Sequence, residues 1–327
     1  MPGNDLKINW MRKSLLYNLL KSARPRQWIK NFALFTPLVF SGFFFYDPSD
    51  APPYIVTVGY AFFIFCILTS SVYLINDIVD VERDRKHPFK KKRPIASGDL
   101  PIPIAIFSAI AGLSMVFLLS LSLPTFFRLL TGSYLVLQLA YATKLKNVPI
   151  VDVISIALGF LIRIYAGAVV VNLHMSVWFL LTIVSASLFL AVGKRQSERT
   201  LLGENNIGAT RKSLEKYSQR LLDQYTGMFA NATWLTYALF AFQNYSNQIQ
   251  SASSRFPELY TFLPRTLQSE KLLMLTLPFV IYGVMRYLHL IYEQNQGESP
   301  EVILLRDKPL LTDIVIFGAL TMVIVYL

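Results

Sequence analysis

Asp77, Asp80 and Asp84 fall at i, i+3 and i+7 in the stretch NDIVDVERDRKHPFKKKRPIASG, residues 76–98. At 3.6 residues per turn, this spacing predicts three carboxylates on one helix face, with Asn76 beside them and Glu82 on the far side. Carboxylates so placed repel one another unless a cation or water stands between them. Oxygen-only ligands on a wet face suit Mg²⁺, which keeps several waters and bridges to phosphate groups. The simpler reading is a solvated helix end balanced by Arg83, Arg85 and Lys86, which is what charge runs usually are. Position argues for the metal. Asp77 and Asp80 follow directly on the apolar run ending SSVYLI, and ionisable groups at membrane depth are costly unless used.

The same stretch continues into a basic run, Lys90 to Arg93. Such a run suits lipid headgroups or the phosphates of a substrate. Arg93 is preferred for substrate because Pro94 fixes the backbone just after it. Further cations recur along the chain. Arg24, Arg26 and Lys30 lie in RPRQWIKN, and Tyr141, Lys144 and Lys146 in YATKLKNVPIVD. Lys194, Arg195 and Glu198 lie in GKRQSE, and Arg163 sits within the apolar GFLIRIYAG. Two plainer readings compete. Lys194 and Glu198, at i and i+4, suit a surface ion pair, and Arg163 suits an internal ion pair in place of a wet cavity.

The elements that must position these residues are membrane helices. Of 327 residues, 54% are hydrophobic and only 16% charged, against roughly 25% charged in a soluble domain. Apolar runs near the ~20-residue spanning length stand at 30–46, 54–76, 102–121, 124–143, 149–171, 174–193, 227–246, 272–292 and 310–327. The expected architecture is all-α, with nine transmembrane helices around a central cavity open to the cytoplasmic side. It divides into a basic interfacial segment (1–29) and a transmembrane domain (30–327). The N-terminus and the even loops, with their flanking turns, hold 25 Lys/Arg and the odd loops, counted the same way, only four: Arg128, Arg255, Arg265 and Lys271. The positive-inside rule then places the N-terminus and the even loops in the cytoplasm and the C-terminus outside.

Net charge is +11. Topology and anionic lipid account for most of it, so no nucleic-acid partner is implied. Cys66, the single cysteine, lies in an apolar run and excludes a disulfide framework. The first thirty residues carry seven Lys/Arg and no apolar core of a cleavable signal.

NDIVDVERD with KKRPIASG resembles the first aspartate motif of the UbiA-type intramembrane prenyltransferase superfamily. That resemblance implies nine helices around a central cavity, with Asp-rich cytoplasmic loops that bind Mg²⁺ and a diphosphate. Ordinary members carry a second Asp-rich motif after the sixth helix. This chain reads GKRQSERTLLGENNIGATRKSLEKY there, with no second aspartate pair. RPRQWIKN, KRPIASG, YATKLKNVPIVDV, GFLIRIYAGA, SVWFLL, GKRQSE, RKSLEKY and GESPEVILLRDKPL, in that order between about 24 and 313, are similar to the polyprenyl-phosphate phosphoribosyltransferase branch. The branch implies transfer of 5-phosphoribose from phosphoribosyl diphosphate (PRPP) to a polyprenyl phosphate such as decaprenyl phosphate, for cell-envelope polysaccharide synthesis.

On this reading Asp77, Asp80 and Asp84 hold Mg²⁺ on the leaving diphosphate. Asn76 positions its waters or the ribose. Lys30, Arg93, Tyr141, Lys144, Lys146, Arg163, Lys194, Arg195 and Glu198 bind substrate. The acceptor phosphate is ionised at pH 7, so no general base is needed, and His87 reads as a loop residue. The alternatives are prenyl transfer from a polyprenyl diphosphate to an aromatic acceptor, and a non-catalytic anion or lipid transporter. A homo-oligomer is left open.

Overall fold

The computed structural model describes residues 15–86, 90–202, 212–243, 271–293, 303 and 306–326. His87, residues 1–14 and the segment 246–265 lie outside these. The described residues are helical with no strand. Six helices among them are long and apolar enough to cross a membrane.

Residues 15–23 form a short helix that turns Leu16, Tyr17 and Leu20 outward and packs Leu15 and Leu19 inward. Arg24 then adopts a left-handed backbone (φ 53°, ψ 60°) immediately before Pro25. The first expected span begins earlier than its apolar run suggests. It consists of a 3-10 segment, Pro25–Phe35, and a short helix α1, Thr36–Ser41, closed by Gly42 at φ 80°. A tighter 3-10 winding is rarely sustained this long without tertiary support. Here Leu34 and Leu38 are fully buried against Ile64, Phe65 and Ala166. A Cβ on Gly167 would come within 1.9 Å of the Leu34 carbonyl oxygen, so only glycine lets the two backbones meet.

Helix α2, Tyr54–Val79, carries the apolar run to the aspartates. It stops there: Asp80 is its C-cap (φ −92°, ψ 6°), and α3, Val81–Lys86, follows. Arg93 is the extended N-cap of α4, Pro94–Ser97, which Gly98 ends at φ 89°. Then come α5, Ile102–Ser120, α6, Thr125–Thr143, and α7, Val151–Val169. Next are α8, Val177–Leu202, α9, Lys212–Glu215, and α10, Gln219–Gln243. Last come α11, Leu277–Tyr292, and α12, Lys308–Tyr326.

The sixth apolar run was expected to end near 193, but α8 continues to Leu202, so Lys194, Arg195 and Glu198 are helical rather than loop residues. Likewise α10 begins at Gln219, ahead of its apolar run. Both extensions have one cause. Their polar ends pack on each other, α8 against α10, and need no lipid.

Helices α2 and α7 are central: 50% and 56% of their apolar windows are buried by protein, against 17% for α5 and 22% for α12. α2 packs on α5 and on the 3-10 segment, and α7 packs between α6 and α8. At one end of the bundle the C-terminal ends of α2, α6 and α8 meet the N-terminal end of α7. At the other end, Tyr326 donates to the carbonyls of Leu38 and Val39 and accepts from the Phe44 amide.

Candidate active site

Two of the three aspartates are gathered and the third turns away. Arg93 Nη1 donates to Asp77 Oδ1 (3.0 Å) and to Asp84 Oδ2 (2.6 Å). Arg24 also donates to Asp77 Oδ1, and its guanidinium lies over the Tyr73 ring at 4.9 Å. Asp80 faces elsewhere. Lys146 Nζ stands 2.9 Å from both of its oxygens, with Arg83 at 3.6 Å. The single carboxylate face expected from i, i+3 and i+7 is therefore divided. The division is one of partners: Asp84, about two full turns on from Asp77, shares Arg93 with it, while Asp80, about 60° round from Asp77, is taken by Lys146.

Arg93 and Arg24 open onto a cavity of about 310 Å³ lined by Lys21, Ser22, Arg24, Asp77, Lys90, Lys92, Arg93 and Pro94. Five basic side chains thus surround one buried carboxylate. Two buried oxygens nearby in sequence, Ser22 Oγ and Asn76 Oδ1, have no hydrogen-bond partner among the described residues. Buried polar atoms are nearly always satisfied, so the orphan Ser22 Oγ on the cavity wall suits a bound ligand.

No group of three or more His, Cys, Asp or Glu side chains converges in metal-binding geometry among the described residues. The donor chemistry still fits a hard dication. Asp77 and Asp84 are brought together on Arg93, and Asn76, next to Asp77 in sequence, has an unpartnered amide oxygen. Mg²⁺ characteristically takes only one or two protein carboxylates and completes its shell with water and substrate phosphate.

The remaining expected residues fall into two further groups. Arg195 is fully buried and stands between two carboxylates. Its Nε lies 2.9 Å from Asp152 Oδ2, and its Nη1 pairs with Glu198. Its Nη2 donates to the Tyr141 hydroxyl at 3.1 Å. Glu198 thus pairs with Arg195, three residues before it on the same helix. Asp152 also accepts from the Tyr217 hydroxyl (2.8 Å) and from Ser213 Oγ (3.4 Å), and Ser213 donates to the Lys146 carbonyl at 3.0 Å.

Arg163 lies apart. It donates to Asn31 Oδ1, to the Gly159 carbonyl (each 2.9 Å) and to the Tyr134 hydroxyl, with its guanidinium 4.7 Å from the Tyr134 ring. All these partners are neutral, so among the described residues it forms no ion pair, and it does not line the aspartate cavity. Lys30 and Lys194 are half-buried, and Lys144 is exposed at the end of α6.

Sequence reasoning missed Asp152, Lys21 and Ser22. Asp152 had a usable signal. It is an acid at the mouth of an apolar run, and the rule that singled out Arg163 applies to it equally. Lys21 and Ser22 had none, because only the fold of the N-terminal helix places them over the aspartates.

The UbiA prenyltransferase family profile matches residues 34–303. The chain is 37% identical over 303 residues to the decaprenyl-phosphate phosphoribosyltransferase of Mycolicibacterium smegmatis, covering 91% of this chain and 89% of that protein. It is 38% identical over 241 residues to the protein of the same name from Corynebacterium glutamicum, covering 73% and 71%. Its fold is similar to that of a UbiA homolog from Archaeoglobus fulgidus solved with GPP and Mg²⁺, with TM-score 0.64, 18% identity, and coverage of 95% of this chain and 100% of that one. With six helices of membrane-spanning length and a match over most of its residues, the chain is an integral membrane protein that belongs to the UbiA prenyltransferase family.

Proposed function

We propose that this protein transfers the 5-phosphoribosyl group of PRPP to a polyprenyl phosphate, with release of diphosphate. One observation carries the reading. The aspartate cavity has a large excess of cations, while the place after the sixth run that would hold a second carboxylate cluster is occupied by the buried Arg195 network. One carboxylate group with many cations suits a donor bearing both a diphosphate and a separate 5-phosphate. The names of the two relatives accord with it.

The chemistry follows from the residues. Asp77, Asp84 and Asn76 would hold Mg²⁺, while Asp80 is held on Lys146. When bound, the ion would neutralise charge on the departing diphosphate. Arg93 and Arg24 offer charge-assisted donors for phosphate oxygens, and Lys21, Lys90 and Lys92 supply point charge. The bond from ribose C1 to the diphosphate oxygen breaks, and its electrons leave with diphosphate. The acceptor phosphate oxygen forms the new bond to C1, inverting it from α to β. The carboxylates stabilise positive charge developing at the ribose. The acceptor is already an anion, so no side chain need remove a proton. We place this site on the cytoplasmic side, as the basic even loops require.

The test is direct. The purified protein is given radiolabelled PRPP, polyprenyl phosphate and Mg²⁺, and label is expected in the organic phase. Label that stays aqueous, with prenylation of an aromatic acid from a polyprenyl diphosphate, would sink the reading. So would anion transport without turnover.

A further inference from the structure

Tyr217 is not part of the cavity, yet the hydroxyl of this buried residue reaches the segment that carries Lys146. That segment has an unusual backbone. Ile150 has φ 69° and ψ −50°, and the Val151 amide donates to the Pro149 carbonyl at 2.8 Å. This is the strained hand of the γ-turn, rare for any residue and a genuine outlier for a β-branched one. Nothing in the Ile150 side chain explains it, since that side chain is half exposed. The backbone amide does: it donates to the Tyr217 hydroxyl, which in turn donates to Asp152 Oδ1. Ser213, four residues before Tyr217, holds the Lys146 carbonyl. Lys146 itself is only 8% exposed and places its ammonium on both Asp80 oxygens.

We propose that Tyr217 is a positioning residue: through the Ile150 amide and Asp152 it holds the 146–152 segment in its strained form, so that Lys146 stays on Asp80. The inference rests on the transferase reading for its consequence in turnover, though not for the geometry itself. Strain of this kind persists only where the surroundings over-determine it, and it clusters at functional sites. Burial, reinforced by the neighbouring Asp152, raises the Tyr217 phenol well above its usual range, so the hydroxyl remains a donor at any working pH.

The experiment uses the full-length protein in detergent. Tyr217→Phe keeps the ring and removes both hydrogen bonds, leaving the Ile150 amide without a partner. Phosphoribosyl transfer is expected to fall about tenfold, in kcat more than in the KM for PRPP. Amine acylation of Lys146, read by mass spectrometry against exposed Lys144 as internal reference, is expected to quicken by a similar factor. Ile150→Gly adopts the same backbone without strain. Added to Tyr217→Phe, it should restore most of both quantities, a coupling that independent sites would not show.

Unchanged Lys146 labelling in Tyr217→Phe overturns the proposal. So does a double variant no better than Tyr217→Phe alone, which would make the tyrosine a packing residue. Should Tyr217→Phe not fold, Ser213→Ala frees the Lys146 carbonyl without touching the ring and must quicken Lys146 labelling. If the unmodified protein transfers no phosphoribose, the transferase reading fails on its own, and the labelling contrast still decides the role of Tyr217.

Discussion

Arg93 and Arg195 each stand between two carboxylates, yet their surroundings give them opposite uses. Arg93 bridges Asp77 and Asp84 with 29% of its side chain exposed, on the wall of a cavity that also holds Lys21, Lys90 and Lys92. Arg195 bridges Asp152 and Glu198 with no exposure at all, inside the packed end of α8. Coulomb attraction is screened at the first place and strong at the second. A partly exposed guanidinium can exchange a carboxylate for a phosphate at little loss, because water covers the difference. A fully buried one cannot leave its partners without stranding charge in a medium that does not solvate it. The cavity is thus suited to binding, and the α8 network to holding four segments in register.

The largest effect should come from breaking the second arrangement. Arg195→Ala leaves the fully buried Asp152 without the guanidinium beside it and is expected to lose about 3–5 kcal/mol of stability. Thermal unfolding in detergent checks it, and an unchanged midpoint would dissolve the contrast. Asp77→Asn should do the reverse. Label transfer from PRPP is expected to fall about 10²–10³-fold, with the melting midpoint close to that of the parent. Full turnover in this variant would move the chemistry away from the cavity.

Lys90→Ala and Lys92→Ala are expected to raise the KM for PRPP by about three- to fivefold with kcat nearly kept, and added salt should shrink that difference. A salt-independent loss of kcat would make these lysines something other than phosphate contacts.

The smallest effect concerns a third pair, Arg286 and Asp307, with N–O distances of 2.7 and 3.1 Å at the junction of α11 and α12. The Arg286 hydrogen bonds hold the Asp307 carboxyl below its usual range. A depressed folded-state pKa means its contribution is complete above the unfolded value and is lost as pH falls through the folded one. Asp307→Asn should therefore melt slightly below the parent at neutral pH, with the gap closing in acid. A gap that persists at low pH would assign the effect to packing.

Much of the fold was legible because lipid imposes a length. Apolar runs near twenty residues can satisfy their backbone only as helices, and six of the expected spans coincide with helices that meet this criterion. The polar ends were less legible. Lys194, Arg195 and Glu198 read as a cytoplasmic loop by charge, but α8 continues through them because α10 supplies a protein surface for them to pack on. The aspartate cluster was found by spacing, but its internal division was not, since Asp80 is taken by Lys146, 66 positions away in the chain.

The sequence by itself determined the membrane class, the helix order, the charged end of the bundle and the chemical types at the site. These follow from periodicity, hydropathy and residue identity, which are local properties. Only the tertiary structure decided the pairings. Arg163 is met by Asn31, 132 positions away, and Asp152 by Arg195 and Tyr217. Lys21 and Ser22 come over Asp77 from a helix whose placement the sequence does not reveal. A charged side chain's use is set by the dielectric and the partners around it, and both are supplied by segments distant in the chain.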